Sequence, residues 1–324
     1  HLEYKCLVML YYIDILFSLL IKYLNSRTYS SLVLLTQGAE MKNNDILKIL
    51  NQKEKSEKDH DLHWEGSYYD YLNLVSEQPQ IIYSAFQRLY SMIASYGHHT
   101  YIDSKKKVTH WNFFDDPINN GRDAIFGLDI HLMKFINVIK AGACKYGAEK
   151  RVILFHGPVG SSKSTIVRLL KKGLEEYSKT KSGQLYSFTW KNVSKILNME
   201  EEMACPVNEE PLHLVDKEKR SLILESLNKN RTAHEKLSVD GELCPACRYI
   251  YKNLLEYYNG KWQDVITNHI KVKRIFISEK DRVGIGTFQP KDEKNQDATE
   301  LTGDINFRKI AVYGSDSDPR AFNF

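Results

Sequence analysis

The run Gly157-Pro158-Val159-Gly160-Ser161-Ser162-Lys163-Ser164-Thr165 constrains this chain more than any other stretch. Val152-Ile153-Leu154-Phe155 leads into it, and an amphipathic segment over residues 166–177 leaves it. An apolar strand, a Gly-rich turn and a helix opening with Lys-Ser make a phosphate-binding loop. The glycines let the backbone turn sharply and aim successive N–H groups inward, and the helix N-terminus adds roughly half a positive charge. In that arrangement Lys163 reaches the β- and γ-phosphates of a nucleoside triphosphate, and the Ser164 hydroxyl ligates Mg²⁺. Downstream, Ile166, Val167, Leu169, Leu170, Leu174 and Tyr177 share one broad helical face, with Lys171, Lys172, Glu175 and Glu176 largely on the other. The unbroken apolar run before the loop predicts a parallel strand covered on both faces. One position departs from the usual G-x-x-x-x-G-K-[ST] pattern: Ser162 stands where Gly precedes the Lys. Gly160 lies two positions earlier and supplies part of the turn's freedom. A Gly/Ser-rich loop that merely caps a helix is the alternative, but strand, loop, Lys-Ser and helix all agree.

At 324 residues the chain holds one large domain or two smaller ones. A net charge of +4, with short basic patches interrupted by acids, argues against a dedicated nucleic-acid binder. Five cysteines in this length do not form a disulfide framework and fit a reducing cytoplasm. Residues 1–40 differ in character from the rest of the chain. Their apolar stretch over 6–24 contains Asp14 and Lys22, and reads either as a signal peptide or membrane anchor, or as non-native upstream sequence. Met41 opens a polar segment that resembles a natural start, which favours the second reading and, with it, no membrane association.

Residues 45–60 predict a charged helix, and 64–96 a helical block whose Ile82, Phe86, Leu89, Tyr90 and Ile93 face a core. Residues 97–123 read as a polar loop, with His98-His99 on the surface and Lys105-Lys106-Lys107 in a solvated turn. A helix runs from Asp129, its expected N-cap, to 145, in the region that contacts adenine in many triphosphatases. Residues 184–191 and 274–278 predict strands, 217–228 a helix, and 279–288 a Gly-punctuated loop; His234 and His269 read as surface residues.

Several runs, in this order, resemble one family: Trp64-Glu65-Gly66, Phe126-Gly127-Leu128-Asp129, the phosphate loop, Glu209-Glu210-Pro211-Leu212-His213-Leu214, Gly241-Glu242-Leu243-Cys244-Pro245-Ala246-Cys247, Arg282-Val283-Gly284-Ile285-Gly286-Thr287-Phe288 and Tyr313-Gly314-Ser315-Asp316-Ser317-Asp318-Pro319-Arg320-Ala321. Together they are similar to the N-terminal AAA+ ATPase region of bacterial PrkA-type serine protein kinases, over residues 41–324. The resemblance implies an α/β P-loop NTPase (AAA+) fold, a parallel sheet flanked by helices, with an N-terminal helical segment and a Cys-containing insertion. It implies ATP and Mg²⁺ as cofactors, with Gly157, Gly160, Ser161, Ser162, Lys163, Ser164 and Thr165 binding them. It further implies a cytoplasmic serine/threonine-protein kinase-like ATPase, a transferase acting on a protein substrate and forming a homo-oligomer. An AAA+ assembly or remodelling module without kinase activity is the alternative. The expected layout is a leader over 1–40, a helical region over 41–110, and an incomplete AAA+ domain over 111–324 with an insertion at about 192–270. The family's Walker B acid and kinase-like domain are expected beyond Phe324, so the chain alone is expected to bind ATP weakly and hydrolyse little.

Cys244-Pro245-Ala246-Cys247 has zinc-knuckle spacing, and a complete Zn²⁺ site needs two more ligands. Cys205 and His213 are the nearby candidates within family-like runs, giving a Cys₃His set. Reduced thiols in a packed turn and a redox Cys-x-x-Cys pair are the alternatives, the latter lacking a thioredoxin-like βαβ pattern.

Overall fold

Serine hydroxyls start the first two helices. Ser67 and Ser84 each accept a hydrogen bond from the N3 backbone N–H, and the N3 side chains Asp70 and Gln87 reach back to the cap. These reciprocal boxes open α1 (Tyr68–Glu77) and α2 (Ala85–Ser95), with the 3₁₀ turn Pro79–Ile82 between them. The computed structural model describes residues 63–197, 199–288, 303–315, 318 and 321–323. The expectations for the leader over 1–40, for Met41 and for the helix over 45–60 fall outside them.

The main sheet has four strands in the order β1-β6-β4-β5: β1 (Glu65–Gly66), β4 (Leu185–Lys191), β5 (Glu202–Ala204) and β6 (Ile270–Ile275). Every pairing in it is antiparallel, with Phe188 opposite Val272 and Trp190 opposite both Ile270 and Met203. This corrects the expected parallel sheet: no parallel pair forms among the described residues. The apolar run over 152–155 is extended but joins no described ladder. Its period-two alternation turns Ile153 and Phe155 inward, while Val152 and Leu154 are 94% and 84% exposed, so one face stays open where two covered faces were expected.

A hairpin stands where a loop was expected, β2 (His98–Asp103) with β3 (Lys106–Trp111). Its turn places Ser104 and Lys105 at φ 48° and 66°. Two positive-φ residues suit the right-handed twist of hairpin strands but usually call for Asn-Gly. The remaining described α-helices and strands are α3 (Asp129–Ala143), α4 (Lys163–Lys179), α5 (Ser194–Leu197), α6 (Lys217–Leu227), α7 (Pro245–Tyr257), α8 (Trp262–His269), α9 (Phe307–Tyr313) and the pair β7 (Asp304–Ile305) with β8 (Phe322–Asn323).

Apolar burial divides into two cores. One joins Tyr68 and Tyr71 of α1 and Phe188 and Trp190 of β4 to Ile250 and Leu254 of α7 and Val265 and Ile266 of α8. The other joins Met92 and Ile93 of α2, Phe113 and Phe114, Ile136 and Ile139 of α3, and Ile166, Leu169 and Tyr177 of α4. The phosphate-loop helix is therefore seated on helices and on the aromatic pair after the hairpin. Strand β6 begins four residues before the expected strand at 274, because Ile270, Val272 and Arg274 alternate inward from its first position. His269, expected at the surface, is buried: its Nδ1 faces the Lys191 carbonyl at 2.9 Å and its Nε2 the Tyr258 hydroxyl at 3.1 Å.

Candidate functional site

The loop at 157–165 turns through two left-handed residues. Gly160 has φ 83°, and Ser162, the N-cap of α4, has φ 57°. The position at which the phosphate-loop pattern calls for Gly is thus left-handed here as well, and Ser occupies it at a cost of about 1–2 kcal/mol. Ser162 makes no side-chain cap, and the first turn of α4 carries no acid. The N–H groups that open the helix are therefore left for an outside anion. The Lys163 ammonium folds back over the loop and donates to the Gly157 carbonyl at 2.8 Å, the Pro158 carbonyl at 2.5 Å and Ser161 Oγ at 2.9 Å. Ser161 in turn donates to the Pro158 carbonyl at 2.8 Å. These are neutral acceptors, which a phosphate would replace with stronger charge-assisted bonds. Ser164 is exposed in the first turn of α4.

Both ends of α4 are held from outside it. Asp116, fully buried with φ 54°, accepts from the backbone N–H groups of Asn119 and Asp123 at 3.2 and 2.9 Å. The bend so made presents Asp123 to Arg168 in a bidentate pair at 2.9 and 2.6 Å, which holds the Asp123 carboxyl below its ordinary range. At the other end, buried Arg274 of β6 donates to the carbonyls of Ser178, Lys179 and Thr180 at 3.2, 3.0 and 3.4 Å. A cation at a helix C-terminus satisfies its orphan carbonyls and complements its dipole. Along the flank, Lys171 pairs with Glu279, whose backbone N–H donates to Glu175 at 2.7 Å. The Gly-punctuated loop after residue 279 is thereby fastened to the phosphate-loop helix.

A cavity of about 430 Å³ opens between this loop and α3, lined by Leu132, Phe135, Ile153, Phe155, Gly157 and Lys163 among others. Its apolar and aromatic lining, with Phe135 and Phe155 in an edge-to-face pair at 5.0 Å, adjoins the loop's Lys163 and also includes His131, Lys134 and His156. A flat apolar base joined to phosphates combines the same two features. The start of α3 corrects an expectation. Leu128 is the N-cap without a side-chain bond, and Asp129 instead accepts from Tyr101 Oη at 2.7 Å and faces His110 Nδ1 at 2.9 Å. His110 Nε2 meets Asp115 at 2.9 Å. Burial alone would lower the His110 pKa, but hydrogen bonds to the two carboxylates outweigh it and raise it.

The cysteines gather elsewhere, in the first core. Cys205, Cys244 and Cys247 come together with Glu209, their ligand atoms all within 4.8 Å of one another. His213, expected as the fourth member, is not there. It sits on the 3₁₀ turn Pro211–Leu214, with Nδ1 facing the Glu210 carbonyl at 3.1 Å and Nε2 the Asp240 carbonyl at 2.9 Å. Glu209 takes its place, four residues after Cys205, a relation that a search restricted to Cys and His overlooks. Burial, and next the nearby Cys244, push the Glu209 carboxyl up to about 7. Hydrogen bonds from Cys205 and Cys247 hold the Cys244 thiol below its usual range, while those two thiols are raised. Burial also lifts the adjacent Glu210 to about 8, where it accepts from the Tyr71 hydroxyl.

Comparison with known proteins assigns the chain to a family. The PrkA AAA domain family matches residues 66–324. Among curated proteins, the chain is 37% identical over 281 residues to the "ATP-dependent protease PrkA" of Bacillus subtilis (strain 168), a match covering 86% of this chain and 38% of that protein. It is 34% identical over 92 residues to an "Uncharacterized protein in gldA 5'region" of Geobacillus stearothermophilus, covering 28% of this chain and 81% of that protein. No solved structure matches. The chain thus spans well under half the length of the B. subtilis relative.

Proposed function

The chain belongs to the PrkA AAA domain family, and from that premise we propose that residues 157–165 bind ATP with Mg²⁺ as the nucleotide site of an AAA+ ATPase. The observation that carries this reading is the uncapped, acid-free start of α4 with the Lys163 ammonium held over it. Lys163 and the N–H groups of the loop would hold the phosphates, Ser164 and Thr165 would face the metal and phosphate oxygens, and the apolar lining of the cavity would take the base. Bound Mg·ATP supplies a γ-phosphoryl group whose transfer to water or to a hydroxyl releases the energy for work. The work is on protein in either of two forms: phosphoryl transfer to serine or threonine, or remodelling and degradation. The name of the B. subtilis relative, an ATP-dependent protease, favours the second. Assembly into a homo-oligomer accompanies both readings. Free thiols at the described Cys144, Cys205, Cys244 and Cys247 support a reducing, cytoplasmic setting. Among the described residues no helix is long and apolar enough to cross a membrane.

Thermal unfolding with and without Mg·ATP tests the site. At a ligand concentration of about 100 times Kd, binding adds about 2.7 kcal/mol, a rise of roughly 4–5 °C for a chain of this size. Lys163→Ala is expected to abolish that rise while leaving the nucleotide-free midpoint within about 2 °C, because its loop bonds are partly solvated. An equal rise in the variant refutes the site. In a longer protein carrying this domain, label transferred from γ-phosphate to protein supports the kinase reading. ATP-dependent loss of an unfolded protein without labelling supports the protease reading.

A further inference from the structure

Four side chains that the nucleotide site does not use converge inside the first core. Cys205, Cys244 and Cys247 are 2%, 8% and 0% exposed, and all are free thiols. With a Glu209 carboxylate oxygen they form a group whose ligand atoms lie within 4.8 Å of one another. Tetrahedral zinc with Zn–S near 2.3 Å and Zn–O near 2.1 Å sets ligand separations of about 3.4–3.8 Å. Contraction by at most about 1.0–1.4 Å, within reach of side-chain rotation, therefore converts the group into a closed tetrahedron.

The surroundings also suit anionic ligands. Each of the four already receives an N–H hydrogen bond from the protein. The Glu209 N–H donates to Cys205 Sγ at 3.3 Å, and the Cys247 N–H to Cys244 Sγ at 3.4 Å. The Trp190 indole donates to Cys247 Sγ at 3.3 Å, and the Cys244 N–H to Glu209 Oε1 at 2.7 Å. An outer ring of donors that orients ligands and spreads their negative charge is the usual companion of a metal site. Cys244 is the N-cap of α7, so the positive end of that helix faces the same group. The alternatives fit less well. Without a metal, the desolvation of three thiols and a carboxylate is offset only by weak sulfur hydrogen bonds and the one Cys244 N–H bond to Glu209. A redox pair would leave the third thiol and the carboxylate without a role.

We propose that Cys205, Glu209, Cys244 and Cys247 bind one Zn²⁺ in a closed structural site. The ion ties the loop after β5 to the N-terminus of α7 and so braces both against Trp190 on β4. The three thiols lose their protons to solvent on binding, so assembly releases acid.

Elemental analysis of the purified chain, prepared in reductant and dialysed after exposure to Zn²⁺, tests the site directly. About one zinc per chain is expected, and less than a tenth overturns the proposal. Co²⁺ in place of Zn²⁺ should give thiolate-to-cobalt charge-transfer absorption and the strong visible bands of a tetrahedral ion. Weak bands of an octahedral ion refute it. Cysteine variants risk failing to fold, so Glu209→Gln carries the ligand assignment. Its Zn²⁺ affinity, by competition with a chromophoric chelator, should fall at least about tenfold with the circular dichroism unchanged. His213→Gln should leave that affinity unchanged. The opposite pattern, or a disulfide trapped by alkylation in the freshly purified protein, overturns the Glu209-containing site.

Discussion

Replacing Gly173 with alanine sets two effects of similar size against each other, and the structure decides between them. Gly173 lies in the middle of α4, and alanine there gains about 1 kcal/mol of helix propensity. A Cβ at this position would stand 2.7 and 2.8 Å from two atoms of the Phe113 ring and 2.8 Å from Met92 Sδ. Ordinary carbon contacts begin near 3.5 Å, so something must move by about 0.8 Å. Met92 can turn aside, being unbranched. Phe113 is 0% exposed and packed against Tyr96 and Phe114 at ring distances of 5.5 and 5.2 Å, so it has nowhere to go. Overpacking of this kind costs about 1–3 kcal/mol. The net expectation is a loss of about 0–2 kcal/mol for Gly173→Ala, and of more than about 3 kcal/mol for Gly173→Leu. Equilibrium urea unfolding of the chain reads both. Adding Phe113→Leu should soften the clash, giving a coupling of at least about 0.5 kcal/mol between the two sites. A Gly173→Ala protein more stable than the parent, or strict additivity with Phe113→Leu, refutes the close-packing account.

Other consequences can be measured in the same way. Arg274→Met keeps the apolar stem but removes a charged donor from three carbonyls at the end of α4, so unfolding free energy should fall by about 2–3 kcal/mol; an unchanged midpoint would refute the cap. His110 has its folded pKa raised above 6.5, so its stabilisation is fully present below about pH 6.5 and is lost as pH rises through the folded value. Thermal midpoints should accordingly decline on the alkaline side of pH 6.5, and His110→Gln should flatten that decline. A variant profile parallel to the parent's would remove His110 from the explanation.

The phosphate loop was legible because it is local: glycines, Lys163 and the amphipathic α4 lie within one continuous stretch. Strand β4 and helix α6 were legible for the same reason, since period-two and period-3.6 patterns survive in isolation. The hairpin was not, because β2 is exposed along its whole length and carries no apolar alternation to read. Strand β6 was displaced because Lys271 and Lys273 interrupt its apolar run in sequence, whereas Ile270 and Val272 between them are buried. The four-member cysteine group was half legible. The 244–247 spacing announces itself, but Glu209 enters through long-range folding that no spacing rule reaches. The antiparallel order of the main sheet was likewise a tertiary fact, since Tyr186, Phe188 and Trp190 read equally well in either direction.

Val152 and Leu154 have a practical consequence for anyone handling the chain. They belong to a four-residue segment of high β-propensity with no charge and no proline, and their side chains project into solvent. A strand edge of that composition is a template for sheet pairing between molecules. Lys150 and Arg151 stand immediately before it as gatekeepers, repelling a second copy of the same edge. Their protection is electrostatic and weakens as salt shortens the screening length. Self-association through this tetrapeptide is therefore opposed by the two cations that precede it, and concentrated salt is the condition under which that defence weakens.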